Sequence, residues 1–288
     1  MNEIALPPAA GWRDLIARAL AEDLGRAGDV TSAAVVDAAA TAVATLVARR
    51  AGVVAGLPVA AAVFAAVDPG LQVSAGKHDG DRVGAGEALL RVEGGARAIL
   101  AAERTALNLL GRLSGIATAT RELVDLVSGT AAAVVDTRKT TPTLRALEKY
   151  AVRCGGGRSH RFGLDDAILI KDNHVAVVGS VGEAVRRARA AAGHLVHIEA
   201  EIRRPEELEE AIAAGADVVM LDNFDLAALR AAVVAAGGRV LLEASGGISR
   251  ENIAAVAATG VDLISVGWIT HSAPALDVAL DFEPAQLR

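Results

Sequence analysis

Six short apolar runs follow one another after residue 130, and each ends in a polar or glycine-rich cluster. Helical stretches such as VGEAVRRARAAAG, PEELEEAIAAGA and LAALRAAVVAAGG separate most of the runs, and several of these stretches close on glycine. Fully apolar strands that alternate with helices are typical of a parallel sheet covered by helices. The six predicted strands are AAAVVDTRK, AILIKDNH, LVHIEAE, DVVMLDN, RVLLEASGG and DLISVGW.

The spacing of these runs favours a β/α barrel. Glu201, Asp222, Ser245 and Gly267 stand at the ends of successive runs, 21, 23 and 22 residues apart. The strands of such a barrel all point their C-terminal ends to one face, where the active site lies. An open, doubly wound sheet would give a similar pattern, and we favour the barrel.

The first hundred residues have a different texture. Apolar residues at helical spacing mark residues 11–24, residues 41–54 are β-branched and apolar, and residues 71–92 have the glycine and aspartate punctuation of hairpins. We predict a small α/β sandwich of the hammerhead kind. Residues 95–126 predict a helix with one glycine-containing interruption, which would join the two halves.

Composition excludes several classes of protein. Of the 288 residues, 52% are hydrophobic but only 2% are aromatic, so the core is aliphatic. A formal net charge of −6 argues against general nucleic-acid binding. A single cysteine, Cys154, excludes an intramolecular disulfide framework. The start of the chain lacks the pattern of a signal peptide, and no apolar run is a convincing membrane span, so we expect a cytoplasmic protein.

The ends of the predicted strands carry the polar residues of a candidate site. They supply acids, bases and glycine turns together, although any one of them alone could be an ordinary solvated loop charge. Residues 138–171 hold eight Lys or Arg against three acids, a cationic patch that would attract a multiply charged anion. The residues are Asp136, Arg138, Lys139, Lys171, Glu201, Asp222, Ser245, Gly246, Gly247 and Gly267.

The two glycine turns predict a phosphate site. Barrels often hold a phosphate on backbone N–H groups beside their last two strands, and ASGGIS followed by SVGW fits that arrangement. There is no Walker loop, no dinucleotide-binding glycine motif and no Cys/His metal spacing in the sequence. Among the histidines, His160 stands out because it adjoins Arg161 and a run of glycines.

Long motifs in this sequence resemble those of the quinolinate phosphoribosyltransferases, also called carboxylating nicotinate-nucleotide pyrophosphorylases. The resemblance runs from EDLGRAGDVT (22–31) nearly to the C-terminus. Its other motifs are ERTALNLLGRLSGIAT (103–118), DTRKTTP (136–142), KYAVRCGGGRSHRFGLDDAILIKDNH (149–174), MLDNF (220–224), EASGGIS (243–249) and THSAPALDVALDF (270–282).

The resemblance implies a fold and an activity. It implies an N-terminal α/β sandwich over residues 1–110, joined by residues 272–288, and an incomplete β/α barrel of the type II phosphoribosyltransferase kind over residues 111–271. It also implies the formation of nicotinate mononucleotide, pyrophosphate and carbon dioxide from quinolinate and phosphoribosyl pyrophosphate, with magnesium (Mg2+), in NAD biosynthesis. The family works as a homodimer or higher oligomer whose active sites are shared between chains.

The resemblance also implies a role for each matching residue. Quinolinate would be held by Arg138, His160, Arg161 and Lys171, and by Arg104 from the partner subunit. Lys139 and Lys171 would contact the ribose-phosphate donor, and Glu201 and Asp222 would face the ribose and its Mg2+. Catalysis would rest on Lys139, Lys171, Glu201 and Asp222. The remaining substrate-binding residues would be Thr137, Ser245, Gly246, Gly247, Val266, Gly267, Trp268 and His271.

Three positions depart from the family pattern. Thr143 stands where glycine is expected, Ser159 where asparagine is common, and Trp268 where a small residue is usual.

Three other functions stay open. The nearest alternative is a molybdenum-associated paralogue with another acceptor. The others are a non-catalytic sugar-phosphate-binding barrel, which would not need Glu201 and Asp222, and a Schiff-base lyase using Lys171, which would need a desolvated lysine.

Overall fold

The structure, a computed structural model, describes residues 4–283. These residues form two compact units. The first unit comprises residues 4–121, 140–156 and 270–283, and the second comprises residues 122–139 and 157–269.

The first unit is built on an antiparallel sheet. The strands of this unit are β1 (Thr41–Ala48), β2 (Gly52–Val53), β3 (Gln72–Ala75), β4 (Arg82–Val83), β5 (Ala88–Gly95) and, from the C-terminal segment, β12 (Val278–Phe282). Its helical elements are a 3-10 turn (Ala9–Gly11), α1 (Arg13–Leu24), α2 (Val30–Val35), α3 (Leu57–Val67), most of α4 (Ala96–Leu126), and α5 (Arg145–Cys154). Within the described residues the main sheet has the order β12-β1-β5-β3, and β2 pairs with β4.

The sheet of the first unit packs an aliphatic core. Leu46 on β1 stands opposite Leu280 on β12 and Leu90 on β5. Leu46, Leu90 and Phe64 of α3 are almost fully buried. The predicted α/β sandwich is confirmed. The hairpins predicted over residues 71–92 are wrong, because β3 pairs with β5 while β4, which lies between them in the chain, pairs with β2.

Helix α4 is continuous, so the predicted glycine interruption is wrong. Gly111 and Gly115 lie inside this helix, where a Cβ at Gly111 would come within 2.9 Å of the Leu276 carbonyl oxygen. A Cβ at Gly115 would overlap the carbonyl oxygen of Pro274. The glycines therefore let the C-terminal segment lie directly on the helix, and the packing outweighs their low helix propensity.

The second unit contains all six predicted strands. They are β6 (Ala133–Val135), β7 (Ile168–Ile170), β8 (Ile198–Ile202), β9 (Val218–Asp222), β10 (Leu241–Ser245) and β11 (Leu263–Ser265). The helices are α6 (Asp172–Val178), α7 (Val181–Ala191), α8 (Glu207–Ala213), α9 (Leu226–Ala236), α10 (Ile253–Ala257) and α11 (Trp268–His271), the last of which ends in the first unit.

The strand order identifies an incomplete barrel. The parallel sheet of the described residues runs β6-β11-β10-β9-β8-β7. Each strand from β7 to β10 therefore pairs with the next one in the chain, and β6, the first strand of this sheet, pairs with β11, its last. A doubly wound sheet would reverse its order at an internal switch point, which this order does not do. The ring stays open between β6 and β7, where Val135 makes a single bridge to Arg158 instead.

The units divide the chain differently from the prediction. The prediction placed residues 111–271 in the barrel domain, whereas residues 111–121 of α4, residues 140–156 with α5, and residues 270–271 belong to the first unit. The first three and last five residues of the predicted N-terminal domain lie outside the described part. Over the described part, no helix has both the length and the apolar character needed to cross a membrane.

Candidate active site

The C-terminal ends of the parallel strands bring the predicted site residues of the second unit to one edge. Ser245, the last residue of β10, pairs with Asp222, the last residue of β9. Glu201 pairs with Met220, two residues before the end of β9. Lys171 directly follows β7, and Asp136 directly follows β6. The register thus gathers residues that are as much as 109 positions apart in the chain.

Lys171 and Glu201 form an ion pair at this edge. The Nζ atom of Lys171 lies 2.5 Å from Oε2 of Glu201, whose side chain is only 7% exposed. Lys171 is the N-cap residue of α6, and its backbone N–H donates to Nδ1 of His174 at 2.9 Å. The Lys171 side chain is 45% exposed. A half-exposed, ion-paired amine is the opposite of the desolvated lysine that a Schiff-base lyase needs, so the geometry does not favour that alternative.

Arg203 contacts both of the predicted acids, Glu201 and Asp222, and was not predicted from the sequence. It follows β8, and its guanidinium lies 3.5 Å from Asp222 and 4.0 Å from Glu201. It also contacts Asp172, at the start of α6, at 2.8 Å. Arg203 stands two residues after Glu201, just past the strand end, and that position was a signal that could have identified it.

His160 lies over two buried acids inside the barrel. Its Nε2 atom is 2.8 Å from Glu199 and 3.6 Å from Glu243. Its backbone N–H donates to the buried carboxylate of Asp136 at 2.8 Å. Burial raises the pKa of Glu243, the charge of Glu199 adds to that rise, and His160 opposes it.

The two predicted substrate-binding arginines of the second unit lie near each other. The pKa of Arg161 is lowered chiefly by burial and then by the charge of Arg138, while Glu199 and Asp166 act in the opposite direction. Asp166 accepts the backbone N–H groups of Phe162 and Gly163 and so shapes the loop that carries Arg161. Two guanidinium groups held close in a partly buried place form a site that an anion would stabilise.

The glycine turn after β10 has a conformation that requires glycine. Gly246 and Gly247 have φ values of 93° and 61°. A Cβ at Gly246 would also overlap the amide of Asn223, which itself has φ 59° and donates its backbone N–H to the Ser245 carbonyl at 2.8 Å. This turn leaves backbone groups of the strand end accessible, as a phosphate site needs.

Two side chains brace the same turn. The side-chain amide of Asn252 donates to the Gly247 carbonyl at 2.9 Å, and the indole N–H of Trp268 donates to the Ile248 carbonyl at 3.1 Å. Arg250 stacks on the Trp268 ring at 4.6 Å from the ring centre. Trp268, a departure from the family pattern, thus supports the turn. Val266 and Gly267, also predicted to contact phosphate, directly follow β11 beside it.

The remaining predicted residues have simpler surroundings. Thr137 accepts the backbone N–H of Lys139 at 3.1 Å. Arg104 on α4 and His271 belong to the first unit. The Arg104 side chain is 64% exposed, and the His271 ring bonds the Ser272 hydroxyl at 2.5 Å. The binding roles given above to all the site residues stay predictions.

An incomplete β/α barrel that carries cationic residues, two acids and a glycine turn at the C-terminal ends of its strands is an arrangement suited to binding a phosphorylated, anionic substrate. Two family models together match nearly the whole chain: quinolinate phosphoribosyl transferase, N-terminal domain, at residues 29–114, and the C-terminal domain at residues 116–281. The chain belongs to the quinolinate phosphoribosyl transferase family.

Individual relatives agree with the family models. The chain is 48% identical to a probable nicotinate-nucleotide pyrophosphorylase [carboxylating] of Bacillus subtilis, covering 90% of this chain and 89% of that one. It is 49% identical to the corresponding Mycobacterium leprae protein, covering 93% and 96%. The solved nicotinate-nucleotide pyrophosphorylase of Francisella tularensis superposes with a TM-score of 0.93 at 41% identity, covering 98% of this chain and 100% of that one. The fold predicted from the sequence is confirmed.

Proposed function

We propose that this chain transfers the phosphoribosyl group of phosphoribosyl pyrophosphate to quinolinate and removes one carboxylate, forming nicotinate mononucleotide, pyrophosphate and carbon dioxide. The observation that carries the proposal is the near full-length similarity to relatives named as carboxylating nicotinate-nucleotide pyrophosphorylases. No observation on the described residues favours the molybdenum-associated paralogue or a non-catalytic barrel.

The cationic residues of the strand ends suit the two carboxylates of quinolinate. Arg138 and Arg161 carry planar forks that bind carboxylates through two hydrogen bonds, and Lys171 adds a compact charge. Because Arg161 is destabilised as a cation by burial and by Arg138, a bound dianion would relieve that cost. His160 adjoins this side of the site, with its ring nitrogens facing Glu199 and the backbone N–H of Arg161.

Phosphoribosyl transfer needs negative charge beside the ribose. The ring nitrogen of quinolinate attacks the anomeric carbon, while the bond to pyrophosphate breaks and its electron pair leaves with the pyrophosphate oxygen. Positive charge develops at the anomeric carbon while the old bond breaks and the new bond forms. The carboxylates of Glu201 and Asp222 are held on rigid strand ends and can stabilise that charge, by roughly 3–4 kcal/mol for each well-placed group. Lys139 and Lys171 would hold the donor, and the glycine turns would hold its 5′-phosphate.

Decarboxylation then follows without a protein nucleophile. The ring nitrogen has become quaternary and positively charged. When the bond between the neighbouring ring carbon and its carboxylate breaks, carbon dioxide leaves and the electron pair stays on that carbon as an ylide, which the adjacent positive nitrogen stabilises. A proton from water then adds to the carbon. The protein's contribution is to hold the pyridine ring in one orientation against its cationic residues.

The acids at the strand ends also fit the proposed Mg2+. Magnesium prefers oxygen ligands and usually binds through one or two carboxylates together with substrate phosphates. Glu201 and Asp222 offer such oxygens, and their present partners Lys171 and Arg203 are side chains that can move aside. When bound, Mg2+ would neutralise charge on the departing pyrophosphate.

We further propose a homodimer, or a higher oligomer, in which Arg104 enters the active site of the partner subunit. Arg104 is exposed on α4, as a residue that serves another chain must be before assembly. We also propose that the protein is cytoplasmic and does not bind nucleic acid.

The decisive experiment is a product assay. Purified protein with quinolinate, phosphoribosyl pyrophosphate and Mg2+ should release carbon dioxide and form nicotinate mononucleotide in equal amounts. Asp222→Asn should lose most of the activity, whereas Glu209→Gln, which changes an exposed ion pair with Arg239, should keep it. Folded protein that forms no product, or that uses nicotinate equally well without releasing carbon dioxide, would contradict the proposal.

Mixed dimers test the shared site. Arg104→Ala and Arg138→Ala should each be inactive alone. A mixture should regain part of the activity, because half of the sites in a mixed dimer would contain both arginines. If subunit exchange is confirmed by mass spectrometry and no activity returns, the shared site is wrong.

A further inference from the structure

A buried cluster lies one layer below the proposed substrate site. Glu199 and Glu201 occupy the same face of β8, because side chains two residues apart in a strand point the same way. Glu201 lies at the strand end, and Glu199 lies one step deeper. Glu243 on β10 approaches from across β9. Glu199 is 7% exposed and Glu243 is 0% exposed, and His160 contacts both.

The hydrogen bonds of His160 define the tautomer of its ring. The backbone N–H of Arg161 points at Nδ1 of His160 at 2.8 Å. A backbone N–H can only donate, so Nδ1 is the acceptor and the ring proton is on Nε2. That proton faces Glu199 at 2.8 Å, the distance of a strong hydrogen bond to a carboxylate.

The ring in turn fixes the backbone at Arg161. The backbone N–H of His160 is held by Asp136, and that of Arg161 is held by the ring itself. The guanidinium of Arg161 donates to the Ala167 carbonyl at 3.2 Å. The charge of Glu199 favours the Arg161 cation, against the opposing effects of burial and Arg138. The position of Arg161 therefore depends on the ring of His160, and its charge is favoured by Glu199 below it.

We propose that Glu199 and Glu243 are positioning residues for Arg161, acting through the ring of His160. Glu199 holds the ring proton and supplies the counter-charge beneath the arginines, and Glu243 lies 3.6 Å from the same ring nitrogen and limits where the ring can move. The proposal rests on the proposed function, since Arg161 is taken to bind a carboxylate of quinolinate. It assigns a role to two acids that would not touch the substrate.

Kinetics of substituted enzymes test the role. Glu199→Leu should raise the KM for quinolinate by on the order of ten- to a hundredfold, because a displaced arginine misorients the substrate. The KM for phosphoribosyl pyrophosphate should stay unchanged, and kcat should fall less than kcat/KM. Glu199→Gln keeps an acceptor oxygen without the charge, so its effect should be intermediate. Glu243→Gln should be milder than Glu199→Gln, because burial already disfavours the charge of Glu243.

Glu209→Gln is the matched control and should change neither KM. Equal rises in both KM values, or a KM for quinolinate in Glu199→Gln and Glu199→Leu equal to that of wild type, would overturn the proposal. If Glu199→Leu fails to fold, Glu199→Gln alone still decides, because the change from Glu to Gln is nearly isosteric.

Nuclear magnetic resonance tests the arrangement of the His160 ring independently of catalytic activity. In protein labelled with ¹⁵N-histidine, the His160 ring should show a fixed Nε2–H tautomer with a slowly exchanging proton. His174 also accepts a backbone N–H at Nδ1, but it is exposed, so its ring proton should exchange quickly. That signal should vanish in His160→Gln and change in Glu199→Leu. A proton on Nδ1 of His160 would refute the arrangement, even if the product assay succeeds. A stoichiometric divalent metal, bound by wild type and lost in Glu199→Leu, would also overturn it, because the same three side chains would then bind a metal ion.

Discussion

Thr143 holds a backbone conformation that suits glycine, and replacing it should stabilise the protein. The Thr141 carbonyl accepts the backbone N–H of Leu144 at 3.0 Å, with Pro142 and Thr143 between them. Thr143 has φ 71°, so the turn has the proline at its second position and the positive φ at its third that define a type II turn. A β-branched residue is a rare occupant of that third position. This explains why the family pattern has glycine there.

The size of the effect follows from two opposing contributions. A left-handed conformation costs a residue with a Cβ about 1–2 kcal/mol. Glycine loses about 0.4–1 kcal/mol more conformational entropy on folding. Because the Thr143 side chain is exposed, few contacts are lost, and Thr143→Gly should raise the free energy of unfolding by about 0.5–1 kcal/mol.

Urea denaturation followed by circular dichroism measures this difference. Thr143→Ala is the matched variant: it keeps the Cβ and should recover less than half of the gain. Thr41→Gly, a change in a strand, should lower stability by about 0.5–1 kcal/mol. A Thr143→Gly protein that is less stable than wild type, or no more stable than Thr143→Ala, would refute the reasoning.

Three further substitutions or treatments have defined outcomes. Gly246→Ala should raise the KM for phosphoribosyl pyrophosphate while leaving the fold intact by circular dichroism, because a Cβ there displaces Asn223 from the glycine turn; an unchanged KM would mean that the turn does not hold the phosphate. Arg112→Ala should lower the free energy of unfolding by about 3 kcal/mol, because it leaves the fully buried Glu148 without its cation; a loss below 1 kcal/mol in urea titration would show that the remaining bonds of Glu148 suffice. Cys154 should not react with a thiol reagent at pH 8 until the protein unfolds, because burial raises the pKa of its thiol to about 12; rapid labelling of native protein would contradict this.

The strand ends were predictable because they have a strong pattern. Runs of four or five apolar residues that end in charged or glycine residues identify parallel strands, and the common direction of those strands places Asp222 beside Ser245. Helix α6 was missed because none of its residues is buried, so it has no apolar periodicity to detect. The interruption predicted in α4 was wrong because a glycine in a helix can signal close packing as well as a break.

The deeper part of the site was less predictable for a different reason. Glu199 lies inside a strand, and its importance comes from what lies across the barrel interior, which one sequence does not display. An acid in an otherwise apolar run is unusual, since charged residues are seldom buried unless paired, and that rarity was the available signal. Arg203 escaped notice because a charged residue after a strand is common on any surface.

The pairing of β12 with β1 has a consequence for how the chain is made. Val278–Phe282 closes one edge of the first sheet against residues 230 to 238 positions earlier. A ribosome releases the N-terminal residues first, yet their sheet must keep the edge of β1 unpaired until residues 278–282 have emerged. An unpaired edge invites pairing with other nascent chains. Truncation before residue 278 should therefore produce aggregation rather than a smaller folded protein, and chaperone dependence should be greatest late in synthesis.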